Sequence, residues 1–587
     1  MSINERFRSD KLQRIQWRAG FCLFIAALPF IAPILFAPLW VSARAQGSIT
    51  WYVRPDGGSA DQCTGRVNAP YPGSGTAQPC AWDHPFRALP PGGSPRISGG
   101  DTLIIATGSY TMGYGAPGAD NCEAGGAWEC FMPPIPSGPN QASPTRVLGA
   151  GWDTGCATPP QLWGTERANY VLNLTGSNNV EAACLEITDH SDCVESHTTG
   201  SLACQRDTPP FGPWAAAGLY AQDSANVHLR DLSIHGLAHS GVWAGRLTDW
   251  TVENVRIAGN GWVGWDGDID GDDSNAGTLT FRHWTVEWNG CGETYPGQQP
   301  TGCWGQEAGG YGDGVATGTT GGHWVIEDSI IRRNTQDGLD LLYARLPTAT
   351  VEIRRTLAEG NAGNQIKTTG PTLIENSIIV GNCAFFEGGS AWNTADSCRA
   401  EGNALAVNPR PGNHITVTNS TLTSEGTCVV IASCALNQTC NGSELVRLRN
   451  DIVQGASRFA QPAEGTCFAW YNDESGDVLP QNPFDTDYAV ITGTSFGNVT
   501  PCPGPHNLCD VSPGLVNASI DAFDARLLPN SPAIDAGDNT ICPATDFTGL
   551  GRPIDGDGYG SADCDIGAYE WWKPSAWVYL PMVLKNP

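Results

Sequence analysis

Short runs of alternating apolar and polar residues recur along most of the chain. Residues 325–331 read Val-Ile-Glu-Asp-Ser-Ile-Ile, 351–357 read Val-Glu-Ile-Arg-Arg-Thr-Leu, and 373–379 read Leu-Ile-Glu-Asn-Ser-Ile-Ile. The same beat runs through 227–234, 250–257, 279–286, 415–422 and 445–452. It predicts strands that turn Val, Leu and Ile inward and charges outward. Between strands lie three similar pieces, Tyr311-Gly312-Asp313-Gly314-Val315, Gln336-Asp337-Gly338-Leu339-Asp340 and Gly363-Asn364-Gln365-Ile366-Lys367. A repeat of ~20–30 residues made of short strands, Gly and Asn predicts a parallel β-solenoid, each repeat one turn stacked on the last. Asn254, Asn376, Asn419 and Asn450 recur at one corner. They are expected to be turn residues that satisfy backbone groups at the bend.

Stacking gives the acids of these pieces a meaning. Asp313 and Asp337 are 337 − 313 = 24 residues apart and occupy equivalent places; Lys367 follows Asp340 by 27 and takes the place equivalent to it. Neighbouring rungs lie ~4.8 Å apart. Two carboxylates at that spacing repel by roughly 3–4 kcal/mol at an effective dielectric near 20. One must take a proton, or a cation must sit between them. Calcium–oxygen bonds of ~2.3–2.6 Å would let Ca²⁺ bridge such a pair, with Asp340 three residues on.

Asp-Gly-hydrophobic in one turn, Asp-Gly-x-Asp in the next and Gly-x-x-Lys in the third resembles the active-site signature of polysaccharide lyase family 9, the β-helical pectate lyases. The resemblance implies an all-β, right-handed parallel β-helix. It also implies Asp313, Asp337 and Asp340 as calcium ligands and Lys367 as the base. The family has an aspartate directly before the second Asp-Gly, where this chain has Gln336. A Gln carbonyl can ligate Ca²⁺ but adds no charge. The site so implied requires the three aspartates to converge, with Lys367 within about 6–8 Å across an open groove.

Composition narrows the partners. The 587-residue chain holds 72 Gly, 42 Pro and 21 Trp, and its 32 Lys+Arg against 60 Asp+Glu give a formal charge of −28. That argues against nucleic acid, which rewards basic surfaces. An acidic polysaccharide would need calcium to supply positive charge. Of 21 cysteines, Cys22 lies in an N-terminal apolar run, leaving an even 20. In an exported chain this suggests disulfides tying long loops. Cys63/Cys80, Cys122/Cys130, Cys291/Cys303, Cys383/Cys398, Cys502/Cys509 and Cys542/Cys564 are neighbouring candidates. Residues 1–45 read as a signal peptide ending at Ala43-Arg44-Ala45, so the product is expected to be secreted or on the cell surface.

The chain then divides into an N-terminal cap with early turns (46–215), regular turns carrying the candidate site (216–460), late turns with a closing segment (461–572), and a tail (573–587). The opening, with 51–58 leading to 84–89 and 100–105, resembles the first turn of many secreted right-handed β-helix proteins: a strand, a Gly-rich loop, a short capping helix, then a core strand. Asp266, Asp268 and Asp270 begin an acidic loop that imitates an EF-hand but carries Gly277 at the twelfth position. They are candidates for a structural cation or for the rim of the cleft. Asp555, Asp557, Asp563 and Asp565 are a second such group, in a segment resembling the close of bacterial surface β-helix proteins. They could equally belong to a turn-rich cap over the last coil. Trp304, Tyr311 and Arg345 are candidate sugar contacts, with packing the competing role for the aromatics. The expectation is a monomeric, calcium-dependent lyase acting on uronate polymers. The alternative is a non-catalytic, adhesin-type β-helix that binds glycans.

Overall fold

The computed structural model describes residues 48–587 except 198–202, 205–207, 270–273, 297–298, 306–310, 387–397, 399–401, 435–437, 439, 457–465, 473–478, 480–481, 496–501, 557, 559 and 574–587. The leader (1–45), Asp270, Asp557 and nearly all of the tail therefore lie outside the described residues. The unit from Ser48 onward is the body described below.

The chain winds as a parallel β-helix with three strand ladders. Around the candidate site, ladder I stacks Ala276–Arg282, His323–Glu327, Thr350–Arg354 and Thr372–Glu375. Ladder II stacks Thr285–Glu287, Ile330–Arg332, Leu357–Glu359 and Ile378–Gly381. Ladder III stacks Val263–Gly267, Val315–Thr317, Leu339–Leu341 and Ile366–Thr369. One long strand, Ser240–Ala258, contributes to all three. The inward column of ladder III runs Val315, Leu339, Ile366, Leu405, Val430 and Phe468 in register, all fully buried. The neighbouring outward column runs Trp243, Asp266, Ala316, Asp340 and Lys367. A one-residue slip would exchange these faces, so the apolar column fixes which rungs carry the polar groups.

The bend between ladders I and II is one residue in the left-handed region. Asn254 (φ 52°), Asp328 (51°), Arg355 (46°), Asn376 (48°), Asn419 (47°) and Asn450 (56°) all occupy it. Asn tolerates that conformation better than other side chains, which explains the recurrence. Their amides do more than serve their own turns. Asn376, Asn419 and Asn450 donate to the carbonyls of Thr545, Asp565 and Asp538 at 2.7, 3.1 and 3.1 Å. The closing segment is therefore strapped along this flank of the coil. Its centre is a fully buried Arg552–Glu570 pair at 2.8 Å, with Arg552 also donating to Asn376 Oδ1.

The opening follows the expected order: strand Thr50–Gly58, helix Pro85–Ala88 capped by the His84 imidazole, then strand Thr102–Ile105. Ten disulfides pair the twenty cysteines beyond Cys22. They include all six neighbouring candidates and add Cys156–Cys184, Cys193–Cys204, Cys428–Cys467 and Cys434–Cys440.

Candidate functional site

The turn from ladder II into ladder III repeats one hydrogen bond on successive rungs. Asp313 Oδ1 accepts from the Asp337 N–H at 2.9 Å. Asp337 Oδ1 accepts from the Asn364 N–H at 2.7 Å and from its amide at 2.9 Å. Asn364 Oδ1 accepts from the Asn403 amide at 2.7 Å, and Asn403 Oδ1 from the Cys428 N–H at 2.9 Å. Asp313, Asp337, Asn364 and Asn403 thus hold equivalent positions, and each needs only one side-chain oxygen to support the next rung. An amide does that job on two of the four rungs. The second carboxylate oxygens of Asp313 and Asp337 are not needed for the fold.

Those two acids meet a third. Asp313, Asp337 and Asp340 are buried, 3%, 2% and 9% exposed, and offer carboxylate oxygens within 4.8 Å of one another. Asp340 arrives from the outward column of ladder III, its Oδ1 accepting from the Leu342 N–H at 3.1 Å. Lys367 is its register partner on the next rung. Its Nζ lies 3.0 Å from Asp337 Oδ2 and 2.5 Å from Asp340 Oδ2, with the side chain 20% exposed. The acids converge as the sequence requires, and the amine lies inside the expected distance, in direct contact with two of them. Ladder spacing brings adjacent outward side chains into contact, so Lys367 is in direct ion pairing. Close packing is also built into the backbone: a Cβ on Gly363 would lie 2.5 Å from Asp337 Oδ1.

The protonation states follow from the contacts. Burial pushes Asp313 well above the usual carboxylate range, and the charges of Asp337 and Asp340 push it further. Burial alone would lower Lys367, but Asp337, Asp340 and Asp313 outweigh it and hold the amine well above its ordinary value. Lys367 is therefore an ammonium here. Burial raises Asp337 too, so the three acids beside one ammonium retain protons that a bound cation would displace. An all-oxygen, multiply anionic donor set fits a hard divalent cation such as Ca²⁺, with water or ligand oxygens completing six to eight contacts.

The other sequence candidates distribute differently. Gln336 is buried beside Asp337, its N–H on the Gly312 carbonyl and its own carbonyl on the Gly363 N–H. Asp266 stands on the rung before Ala316 in the outward column; its Oδ1 caps the Asp268 N–H at 2.9 Å, and burial raises it to about 6. Asp268 is raised by burial and by the charge of Asp340. Asp555 accepts from the Gly558 and Gly560 N–H groups, and Asp563 from Asn539 and Ser561. Asp565 accepts from the Asp535 and Trp571 N–H groups. Among the described residues neither outlying stretch gathers three acids at one point; both serve turns. Tyr311 is 2% exposed with its hydroxyl 3.1 Å from His197 Nε2, and Trp304 packs edge-on to that imidazole. Packing therefore claims both rings. Arg345, in the loop that follows Asp340 on the same coil, lies over the Tyr343 ring and donates to Thr319 Oγ1. The Asn364–Asn403 continuation escaped the sequence reading, although the same 27-residue step that links Asp340 to Lys367 links Asp337 to Asn364.

No protein-family model matches the chain, and a search of curated proteins finds none that matches. Among solved structures it is similar to pectate lyase Pel9A, at 13% identity and a TM-score of 0.40 over 89% of this chain and 97% of that one. It is similar also to XylC in complex with xylose, at 10% identity and 0.43 over 89% and 99%, and to an alginate lyase from Paenibacillus sp. str. FPU-7, at 15% and 0.31 over 66% and 93%.

Proposed function

We propose that the protein is a secreted, monomeric polysaccharide lyase that cleaves uronate polymers by β-elimination with calcium. The observation that carries this reading is the meeting of Asp313, Asp337 and Asp340 with Lys367 Nζ at 2.5–3.0 Å on two of them. The ten disulfides support an oxidising, extracellular setting. Among the described residues no helix is long and apolar enough to cross a membrane.

Asp313, Asp337 and Asp340 would hold the ion, with Gln336 beside them. When bound, Ca²⁺ would neutralise the uronate carboxylate, stabilise charge developing at the enolate, and compete with Lys367 for Asp337 and Asp340. Lysine must be neutral to act as a base, and its pKa falls when its counter-charges are engaged elsewhere. Neutral Lys367 then takes the C5 proton. The C5–H electron pair forms the C4=C5 bond, the C4–O bond breaks, and the glycosidic oxygen leaves with a proton taken from water. Lys367 afterwards returns its proton to solvent.

The test is release of unsaturated uronides, read by their ultraviolet absorbance, from polygalacturonate and alginate with calcium or with excess chelator. Full activity in chelator, or an unchanged rate in Lys367→Ala, rejects the reading. One feature favours the second reading, a glycan-binding β-helix without catalysis: the direct ion pair, which a purely structural lysine would also make. Retention of acidic glycan with no product in calcium would establish that alternative.

A further inference from the structure

On the outer face of ladder II, Ala258, Glu287, Arg332 and Glu359 follow one another in register, with Arg256 two residues before Ala258. An antiparallel hairpin, Cys291–Thr294 with Gln299–Cys303, is closed by the Cys291–Cys303 disulfide. Its Glu293 reaches back to His235 Nδ1 at 2.8 Å, which anchors the hairpin to the coil. Together they enclose a cavity of about 240 Å³ lined by Arg256, Arg332, Arg333, Glu287, Trp288 and Glu293. Arg333 also lines an adjoining cavity of about 130 Å³, together with Phe385, Phe523 and the acidic residues Glu359 and Asp521. Arg333 is common to both linings.

Three arginines in one cavity run against the composition of a chain with 32 Lys+Arg and 60 Asp+Glu. Two of them are balanced: Glu287 takes Arg256 at 2.9 Å and Arg332 at 2.8 Å, and Glu359 stands 4.0 Å from Arg332. Glu293 is committed to His235, an imidazolium at neutral pH because its carboxylate partners raise it to about 9 against the cost of burial. Arg333 makes no ion pair among the described residues. Its guanidinium lies 4.8 Å from the Phe385 ring centre and 5.4 Å from that of Trp288. Burial and the neighbouring Arg332 lower its pKa, and the charges of Glu359 and Glu287 only partly offset them.

We infer that this cavity is a second binding site, which receives an anionic group of an acidic glycan, a carboxylate or a sulfate ester, on Arg333. A guanidinium suits either group because its planar fork donates two parallel hydrogen bonds. Phe385, 38% exposed, and Trp288 flank it with apolar surface for the sugar ring. The site lies on ladder II, whereas Asp340 and Lys367 belong to ladder III, and it needs no metal. It therefore stands or falls separately from the calcium reading.

The experiment is calorimetric titration of the full chain in excess chelator with trigalacturonate, a sulfated disaccharide, neutral maltotriose and inorganic sulfate. The acidic saccharides should bind and maltotriose should not, and the tighter of the two acidic saccharides identifies the anion. Arg333→Gln should weaken binding by about tenfold or more, the usual effect of removing a charged hydrogen-bond partner. Phe385→Ala, at an exposed position, should weaken it several-fold and guards against a folding artefact in the first variant. Unchanged affinity in both variants overturns the inference. So does maltotriose binding equally well, inorganic sulfate alone binding as tightly as the saccharides, or acidic saccharides binding only when calcium is present.

Discussion

Asp313→Asn should make the calcium-free protein more stable, not less. The variant keeps the hydrogen bond that the fold uses, because an amide oxygen can accept from the Asp337 N–H as Asp313 Oδ1 does now. Asn364 and Asn403 already do this on later rungs. What the variant removes is one negative charge within 4.8 Å of two others. Each such pair costs about 3.5 kcal/mol at an effective dielectric near 20. Attraction to Lys367 cancels roughly one of the two, and proton uptake by Asp313, whose pKa burial and its neighbours raise, relieves part of the rest. A gain of about 1–3 kcal/mol remains. For a unit as long as Ser48–Pro587, unfolding entropy of about 2 cal/mol/K per residue makes 1 kcal/mol worth about 1 °C. The variant should therefore melt about 1–3 °C above the parent in chelator. Calcium at about a thousandfold over its Kd adds about 4 kcal/mol to a protein that binds it. The parent should rise by about 4 °C and the variant by much less, reversing the order of the two. Tryptophan fluorescence during a thermal ramp reads both shifts. A variant that melts lower than the parent in chelator, or that gains as much from calcium, would refute the assignment of Asp313 as a charge held for a cation.

Lys367→Met leaves Asp337 and Asp340 buried without their ammonium and should cost about 3 kcal/mol in chelator; calcium should recover most of the loss, and a ramp showing no calcium rescue would count against the cluster as a cation site. Gly363→Ala places a Cβ 2.5 Å from Asp337 Oδ1, so calcium affinity should fall by tenfold or more, measured by titration, while circular dichroism stays that of a β-helix. The anchor of the hairpin should be pH-sensitive. His235, fully buried between Glu186 at 3.1 Å and Glu293 at 2.8 Å with Asp189 and His190 near by, titrates at about 9 in place of 6.5. Its contribution, about 3 kcal/mol, is complete below pH 6.5 and disappears as pH rises through about 9. Glu186, lowered by its hydrogen bond to His235, contributes above pH 4.5 and loses that contribution as pH falls through its folded value. Amide exchange across residues 291–303 should therefore be slowest between about pH 4.5 and 6.5 and faster by pH 10, and a hairpin equally protected at both ends of that range would contradict the ion-pair anchor.

The winding of this chain was legible because one apolar beat is repeated with little variation: the runs at 325–331, 351–357 and 373–379 lie on successive rungs of ladders I and II. The equivalence of Asp340 and Lys367 was legible for the same reason. Two things were not. The first was the side of the coil to which the closing segment would return, since the Asn376, Asn419 and Asn450 amides look the same in sequence whether they serve their own turn or another segment. The second was the Arg256–Arg332–Arg333 cavity, which forms only when a hairpin inserted after Trp288 folds back over strands that precede and follow it.

The candidate site shows where such reading gains and loses its force. A ladder position at a solenoid turn asks for a side-chain oxygen, and Asn and Asp satisfy it equally well. Their difference is invisible to the fold and large in electrostatics, because an amide brings no charge and a buried carboxylate brings one that must be answered. Asp313 and Asp337 depart from Asn364 and Asn403 on adjoining rungs, and Asp340 adds a third charge beside them. A fold indifferent to that choice has no reason to collect three acids at one point against a single lysine. The pattern is explained if the position is under a second demand, for a cation, which the architecture alone does not make. Asp555, Asp563 and Asp565 differ in that their oxygens are each engaged by separate backbone or side-chain donors of the turns they hold.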